Sequence, residues 1–421
     1  MCTKCLFLTH VPHSGARMTA PLQHAASHGD NLPQGYKRTE VGVIPVEWEV
    51  KRLGEVIEKI VGGGTPSRSN SAFWDGNIPW VTVKDFATFN PLYTQEYITI
   101  EGVKHSATNL IPKGSLITST RMALGKAVIY QVDVTINQDM KAIFPSNSLD
   151  ILYLYFWFEK KSKYIESLGN GSTVMGLSLT DLKSIPFIAP PLPEQKAIAG
   201  VLSDVDGLIA TLTALIAKKR AVKHATMQQL LTGKTRLAGF TGEWEVKRLG
   251  DVFHITAGGD FDPTTSSDFW DETHLYPVYS NALTNKGLYS YCSYNNHNPD
   301  TITVTARGTL GHCEYRNHAY TAIGRLLVLE KLADVSCVYV AEYINKNIIF
   351  TIESTGVPQL TAPQISQYQI PLPPLPEQTA IAAILTDMDT EITTLETRLA
   401  KTKALKTGMC QELLTGKTRL L

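Results

Sequence analysis

The chain has 421 residues, 43% apolar and 19% charged, with 39 basic residues balanced by 39 acidic ones. That length suits roughly two to four domains of ordinary globular composition. The neutral total argues against a protein that simply coats nucleic acid, but leaves room for a DNA reader with a local basic face.

Taken in order, the first 35 residues differ from the rest. They carry His10, His13, His24 and His28 among small residues with no periodicity. The expectation is a disordered extension, or a start site placed too far upstream with Met18 as the alternative initiator. Cys2 and Cys5 form a C-x-x-C with no second pair to complete a zinc site. The other cysteines are scattered, which fits a reducing compartment. Leu6-Phe7-Leu8 is too short for a signal peptide, and no apolar run is expected to cross a membrane.

Order begins near Tyr36, and the text then repeats. Glu47-Trp48-Glu49-Val50-Lys51-Arg52-Leu53-Gly54 returns as Glu243-Trp244-Glu245-Val246-Lys247-Arg248-Leu249-Gly250, and Phe73-Trp74-Asp75 returns as Phe269-Trp270-Asp271. The block Pro190-Pro191-Leu192-Pro193-Glu194-Gln195 returns as Pro373-Pro374-Leu375-Pro376-Glu377-Gln378. It runs in both copies, without insertion, to Leu-Leu-Thr-Gly-Lys-Thr-Arg-Leu, ending at Leu237 and Leu420. The interiors between these blocks share a skeleton, and the first is longer.

Each block predicts a long helix. Pro193 and Pro376 suit its first turn, and Gly233 and Gly416 its C′ position. Ile198, Leu202, Val205, Ile209, Leu212 and Ile216 step alternately by four and three, as do Ile381, Leu385, Met388, Ile392, Leu395 and Leu399. That is a coiled-coil seam. A helix from residue 194 to 232 reaches ~58 Å, and two in one chain pack most simply on each other.

The interiors read as mixed α/β. Strands are expected over residues 78–83, 116–120, 127–131 and 141–144, and over 275–279, 301–305 and 326–329. A helix follows in each, N-capped by Asp150 or Asp334. Its aromatics, such as Tyr155, Phe156, Phe158 and Tyr164, or Tyr339 and Tyr343, are assigned to the core. The division is residues 1–35 as extension, 36–189 and 239–372 as two similar domains, and 190–238 and 373–421 as helices.

Catalytic motifs are missing. Gly233-Lys234-Thr235 lacks the glycine a phosphate loop needs, since Gln228 stands there, and reads as a helix stop. No amino-methylating, dinucleotide, zinc-protease or serine-hydrolase pattern occurs. Basic runs end both helices: Lys218, Lys219, Arg220, Lys223, Lys234 and Arg236, then Arg398, Lys401, Lys403, Lys406, Lys417 and Arg419. They exceed what a helix macrodipole requires. They fit a phosphate backbone, an acidic protein face or a solvated surface. Interior loops mix cations, amides and hydroxyls, the types that read base edges and phosphates. The candidate contacts are Arg68, Lys84, Ser119, Thr120, Arg121, Lys126, Asn137 and Gln138, then Tyr279, Ser280, Asn281, Asn285, Lys286, Thr305 and Arg307.

The duplicated blocks around two variable interiors, with Gly63-Gly64-Thr65-Pro66 and Pro277-Val278-Tyr279-Ser280, resemble the specificity subunit of a type I restriction–modification enzyme. The resemblance covers residues 36–421. It implies an α+β fold in which two target-recognition domains, related by a pseudo-twofold, are held apart by an antiparallel helical pair. It also implies a non-catalytic, cytoplasmic, prokaryotic subunit that reads a bipartite double-stranded DNA target. Two methyltransferase subunits with S-adenosylmethionine would dock on it, and restriction subunits would bring ATP and magnesium. No cofactor or metal is expected in this chain. The alternatives are a coiled-coil adaptor that binds no DNA and a stand-alone restriction–modification enzyme. The continuation of the second copy is found at Val46-Glu47-Trp48, so Trp48 and Leu420 are expected to lie close together.

Overall fold

The computed structural model of the chain describes residues 32–169, 176–351 and 358–420. The expected extension, with Cys2, Cys5 and its four histidines, lies outside them up to residue 31. The chain divides into two compact units, Met1–Ala199 with Cys410–Leu421, and Gly200–Met409.

In the first unit an antiparallel sheet runs in the order Ile57–Gly62, Met140–Pro145, Leu116–Ser119, Ala127–Ile129. A second sheet runs Glu96–Ile98, Trp74–Val81, Val134–Ile136, Leu110–Ile111, with its central pair parallel. The helix Ile151–Ser167 opens at Asp150, whose carboxylate accepts from the Leu152 and Tyr153 N–H groups at 3.0 Å. It buries Tyr153, Phe156, Trp157 and Phe158, while Leu152 and Tyr164 stay exposed.

The second unit repeats the first sheet as Phe253–Ala257, Leu327–Lys331, Thr301–Val304, Cys313–Arg316. Its second sheet keeps three strands of the pattern, Leu288–Cys292, Tyr276–Tyr279 and Thr321–Ala322, the last pair again parallel. The edges differ. The first domain adds Leu110–Ile111 and a short helix, Ile100–Lys104, whereas the second adds Ser266–Ser267. The helix Cys337–Asn347 is capped by Ser336, not Asp334, with the Ser336 hydroxyl accepting from the Tyr339 N–H at 3.3 Å. Val335 is drawn into the core between them, which moves the start of the helix.

The repeated text forms the same junction in each unit. Glu49–Arg52 pairs antiparallel with Pro186–Ala189, and Glu245–Arg248 with Gln369–Leu372. Each clasp lies just before a proline block. Gln195 Oε1 accepts from the Asp150 N–H at 2.9 Å, and Gln378 Oε1 from the Ser336 N–H at 2.9 Å. Each glutamine therefore ties the first turn of its long helix to the start of the domain helix. The neighbouring glutamates are buried acceptors. Glu194 takes Trp48 Nε1 at 2.9 Å and Arg419 through two bonds. Glu377 takes Trp244 Nε1 at 3.2 Å and Arg236 through two bonds at 2.6 Å. Arg419 also reaches Glu47 at 2.6 Å, and Tyr36 donates to the Gly416 carbonyl at 3.0 Å, so the last residues described stand beside Trp48.

The long helices span Leu192–Leu230 and Leu375–Leu413, 39 residues each. Gly233 and Gly416 follow with φ of 68° and 73°, the left-handed geometry that ends a helix. Within the second unit the helices run antiparallel: Asp206 meets Lys406 at 2.8 Å, Lys219 meets Glu391 at 2.7 Å, and Lys223 meets Asp389 at 2.7 Å. Arg220 meets Glu396 at 2.5 Å. The basic runs are thereby corrected in part, because Lys219, Arg220, Lys223, Lys406, Arg236 and Arg419 have carboxylate partners within this chain. Lys218, Lys234, Arg398, Lys401, Lys403 and Lys417 are exposed. Along the seam, Ile198, Leu202, Leu212, Ile216, Ile381, Leu385 and Ile392 are buried, and Val205, Ile209, Met388, Leu395 and Leu399 are half-buried. Ile381 and Leu385 belong to the core of the second domain. Leu192–Leu230 is, against expectation, long and apolar enough by composition to span a membrane. Its ion pairs to the second helix account for it as one arm of a helical hairpin.

Candidate nucleic-acid interface

In the first domain the candidate residues are positioned by a glycine pair. A Cβ on Gly63 would lie 1.9 Å from the Ile136 carbonyl oxygen, so only glycine allows the loop to press onto that strand. The Gly64 N–H donates to the same carbonyl at 3.0 Å, and Trp80 Nε1 donates to the Gly64 carbonyl at 3.1 Å. Thus pinned, the loop brings Thr65 to donate to Gln138 Oε1 and carries Arg68 over Trp74, 3.7 Å from the ring centroid. Arg68 and Lys84 share Glu96, at 2.5 Å and 3.2 Å. Burial alone would raise the Glu96 carboxyl. The hydrogen bonds from Arg68 and Lys84 overcome it and hold the group below the usual range.

The loop after Leu116–Ser119 is tied to the turn at Asn137. The N–H and hydroxyl of Thr120 donate to the Asp139 carbonyl at 2.9 Å and 3.1 Å. Arg121 projects beyond, 63% exposed, with Nη1 3.9 Å from the Asp139 carboxylate. Lys126 is exposed at the far end of the loop. The fold therefore links the Gly63–Arg68 segment, the Thr120–Arg121 segment and the Asn137–Asp139 turn through hydrogen bonds.

The second domain gathers the corresponding loops. Asn281 Oδ1 accepts from the Ala306 N–H at 2.7 Å, joining the segments at 280 and 305. Arg307 is exposed, and its Nε and Nη2 donate to Gln359 Oε1 at 3.1 Å and 2.8 Å. Asn285 and Lys286 are exposed on the turn Thr284–Gly287, which is closed by the Ser280 N–H donating to the Gly287 carbonyl at 2.9 Å. Lys286 Nζ lies 3.7 Å from Glu314. Burial favours the neutral Glu314 acid, but His312, Lys286 and Arg316 together keep its carboxyl below the usual range.

Four expected contacts are turned inward. Ser119, Asn137, Tyr279 and Thr305 are buried. The Ser119 hydroxyl donates to the Arg121 carbonyl, and Asn137 Oδ1 accepts from the Asp139 and Met140 N–H groups at 3.0 Å and 3.2 Å. The Thr305 hydroxyl donates to the Thr309 carbonyl, and the Tyr279 hydroxyl pairs with His318 Nε2 at 2.9 Å. These side chains shape loops, because their polar atoms are engaged within the domain. Sequence reasoning missed Glu96, Asp139, Gln359 and Arg316, which lie against Arg68 and Lys84, Arg121, Arg307 and the Lys286 carbonyl respectively. The only signal for them was proximity in space. The repeated Phe-Trp-Asp has two fates: Trp74 lies under Arg68, while Trp270 is 61% exposed.

Comparison with known proteins agrees with this layout. The family profile described as the type I restriction modification DNA specificity domain matches residues 45–219 and again 241–404. The MjaIX specificity subunit of Methanocaldococcus jannaschii is 25% identical, over 91% of this chain and 96% of its own length. The EcoR124I/EcoR124II specificity subunit of Escherichia coli is 35% identical over 40% of this chain and 43% of its own. A crystal structure of the type I S subunit from M. genitalium shares the fold with a TM-score of 0.65 at 16% identity, covering 87% of this chain and 96% of that one. Two profile matches, each joining a recognition domain to its helix, establish that the chain belongs to the type I restriction–modification specificity subunits, which give such systems their DNA sequence preference.

Proposed function

We propose that each recognition domain reads one half of a bipartite double-stranded DNA target and that the helical hairpin sets the gap between the halves. The observation that carries this reading is the contrast between junction and loop. The Trp–Glu–Arg and glutamine contacts are the same in both units, whereas the exposed residues on matching loops differ. Arg68, Arg121 and Gln138 stand on one domain, and Asn285, Lys286 and Arg307 on the other. Arginine suits guanine, and amides suit adenine. The chain works as the non-catalytic component of a cytoplasmic complex with two methyltransferase subunits, which supply S-adenosylmethionine. Restriction subunits supply ATP-dependent, magnesium-dependent cleavage.

Exchange of residues 253–366 for the matching segment of another specificity subunit tests the reading. Methylation mapped across a genome should change at one half-site and keep the other. A change at both half-sites would overturn independent reading, and unchanged methylation would remove the second domain from recognition.

A further inference from the structure

The turn Thr284–Gly287 has an unusual backbone. Asn285 lies at φ 49°, ψ 40° and Lys286 at φ 53°, ψ 29°, and Gly287 follows at φ 84°. Three successive residues are thus left-handed. Glycine adopts this freely and asparagine tolerates it through its short polar side chain, whereas the long side chain of lysine gives no such compensation for the Cβ clash. A Cβ on Gly287 would meet the Ser280 carbonyl oxygen at 2.8 Å, so the close approach of the turn to that carbonyl requires glycine here. Strain of this kind persists only where the surroundings hold it.

Besides the Ser280 N–H that closes it, the turn is met from the interior of the domain by Arg316. This arginine is 4% exposed, and its guanidinium stacks on Tyr279, 3.6 Å from the ring centroid. Nε donates to the Thr303 hydroxyl at 3.0 Å, and Nη2 donates to the Lys286 carbonyl at 2.8 Å. Tyr279 is itself fixed by His318 and by an edge-on contact with Tyr320. A nearly buried cation is costly to place, and this one directs a donor at the backbone of an exposed turn. The Lys286 side chain beyond that carbonyl is 76% exposed.

We infer that Arg316 is a positioning residue for half-site recognition: it touches no DNA, but locks the Asn285–Lys286 turn in the conformation that meets the duplex. The inference rests on the reading of Asn285 and Lys286 as DNA contacts. A turn already held in its bound shape avoids part of the ordering cost of binding and presents the asparagine and lysine side chains from fixed backbone positions. A freely moving lysine would still attract phosphates, but would discriminate poorly among base pairs. Arg316 thereby sets specificity from behind the loop.

The test uses the full chain assembled with its methyltransferase subunits. Methylation rates are measured on duplexes varied at one half-site at a time. Arg316→Lys keeps the charge but loses the planar fork that spans Thr303 and the turn. It should reduce discrimination at one half-site by about ten-fold and leave the other half-site unchanged, in a complex that still assembles and methylates the intact half-site normally. Asn285→Ala and Lys286→Ala should disturb the same half-site. If those two variants leave discrimination intact, the turn does not read DNA and the inference loses its basis. If they disturb it while Arg316→Lys does not, the turn reads DNA but Arg316 does not position it. A uniform loss on every duplex, in step with a lowered midpoint, would make Arg316 a support of the fold alone and overturn the proposal.

Discussion

Arg419 clamps Glu194 from the other end of the sequence, Nε to Oε1 at 2.6 Å and Nη2 to Oε2 at 2.9 Å. Trp48 Nε1 occupies the same carboxylate, which is only 4% exposed. Removing the arginine would leave a buried carboxylate with a single neutral donor. Arg419→Ala is therefore expected to destabilise the first unit by about 3 kcal/mol, the low end for a broken buried pair because Arg419 keeps one solvent edge. Denaturant unfolding measures this, and Glu194→Gln in the same chain should recover part of the loss. A change within ~0.5 kcal/mol would show the clamp to be dispensable.

Within the helical hairpin, Asp206–Lys406 and Lys223–Asp389 are local matches in a fixed antiparallel register. Asp206→Lys alone places like charges together and should cost about 1 kcal/mol, whereas Asp206→Lys with Lys406→Asp should restore most of it. Additive losses in the double variant would mean that the pair contributes nothing to register.

The ion pairs also dictate how the hairpin can be shortened. Deleting residues 208–214 alone leaves Asp206–Lys406 and Lys219–Glu391 unable to form together. Deleting residues 397–403 as well removes a matched heptad from both arms and shortens the hairpin by ~10 Å. The matched deletion should shift the preferred gap between half-sites by about three base pairs. Methylation of a duplex series with stepped gaps reads the shift. An unaltered gap would rule out the hairpin as a ruler.

Arg121 stands out from its loop with only a 3.9 Å approach to Asp139. Arg121→Ala should weaken binding to the target by about 1–3 kcal/mol and relax preference at one position. Titrations against matched and singly altered duplexes distinguish this from a phosphate contact, which would weaken all sequences alike and flatten the salt dependence.

Glu342 faces Lys223 at 3.5 Å. Burial pushes its carboxyl above the usual range. Lys223 opposes the shift, and Asp389 and Glu314 add to it. The folded state thus binds this proton more readily than the unfolded chain. The resulting stabilisation is present below the ordinary carboxylate pKa and is lost as pH rises through the raised folded value. Glu342→Gln should raise the thermal midpoint at pH of about 7.5, and the gain should vanish near pH of about 4. Equal midpoints at the higher pH would refute this account.

The repeated text determined much of the protein by itself. Proline at the first turn, glycine at the stop and a seam stepping by four and three leave little choice for Leu192–Leu230 and Leu375–Leu413. Several core strands were also legible, because β-branched runs alternate between loops rich in glycine and asparagine. Tertiary structure decided what the charged and polar residues do. Nothing local shows that Glu194 and Arg419 meet, or that Arg236 serves Glu377. Nor does local sequence show that Tyr279 faces inward while Lys286 faces out. Helix and strand periods are encoded by neighbours a few residues apart, whereas a carboxylate's partner is fixed only when distant segments pack and water is excluded between them.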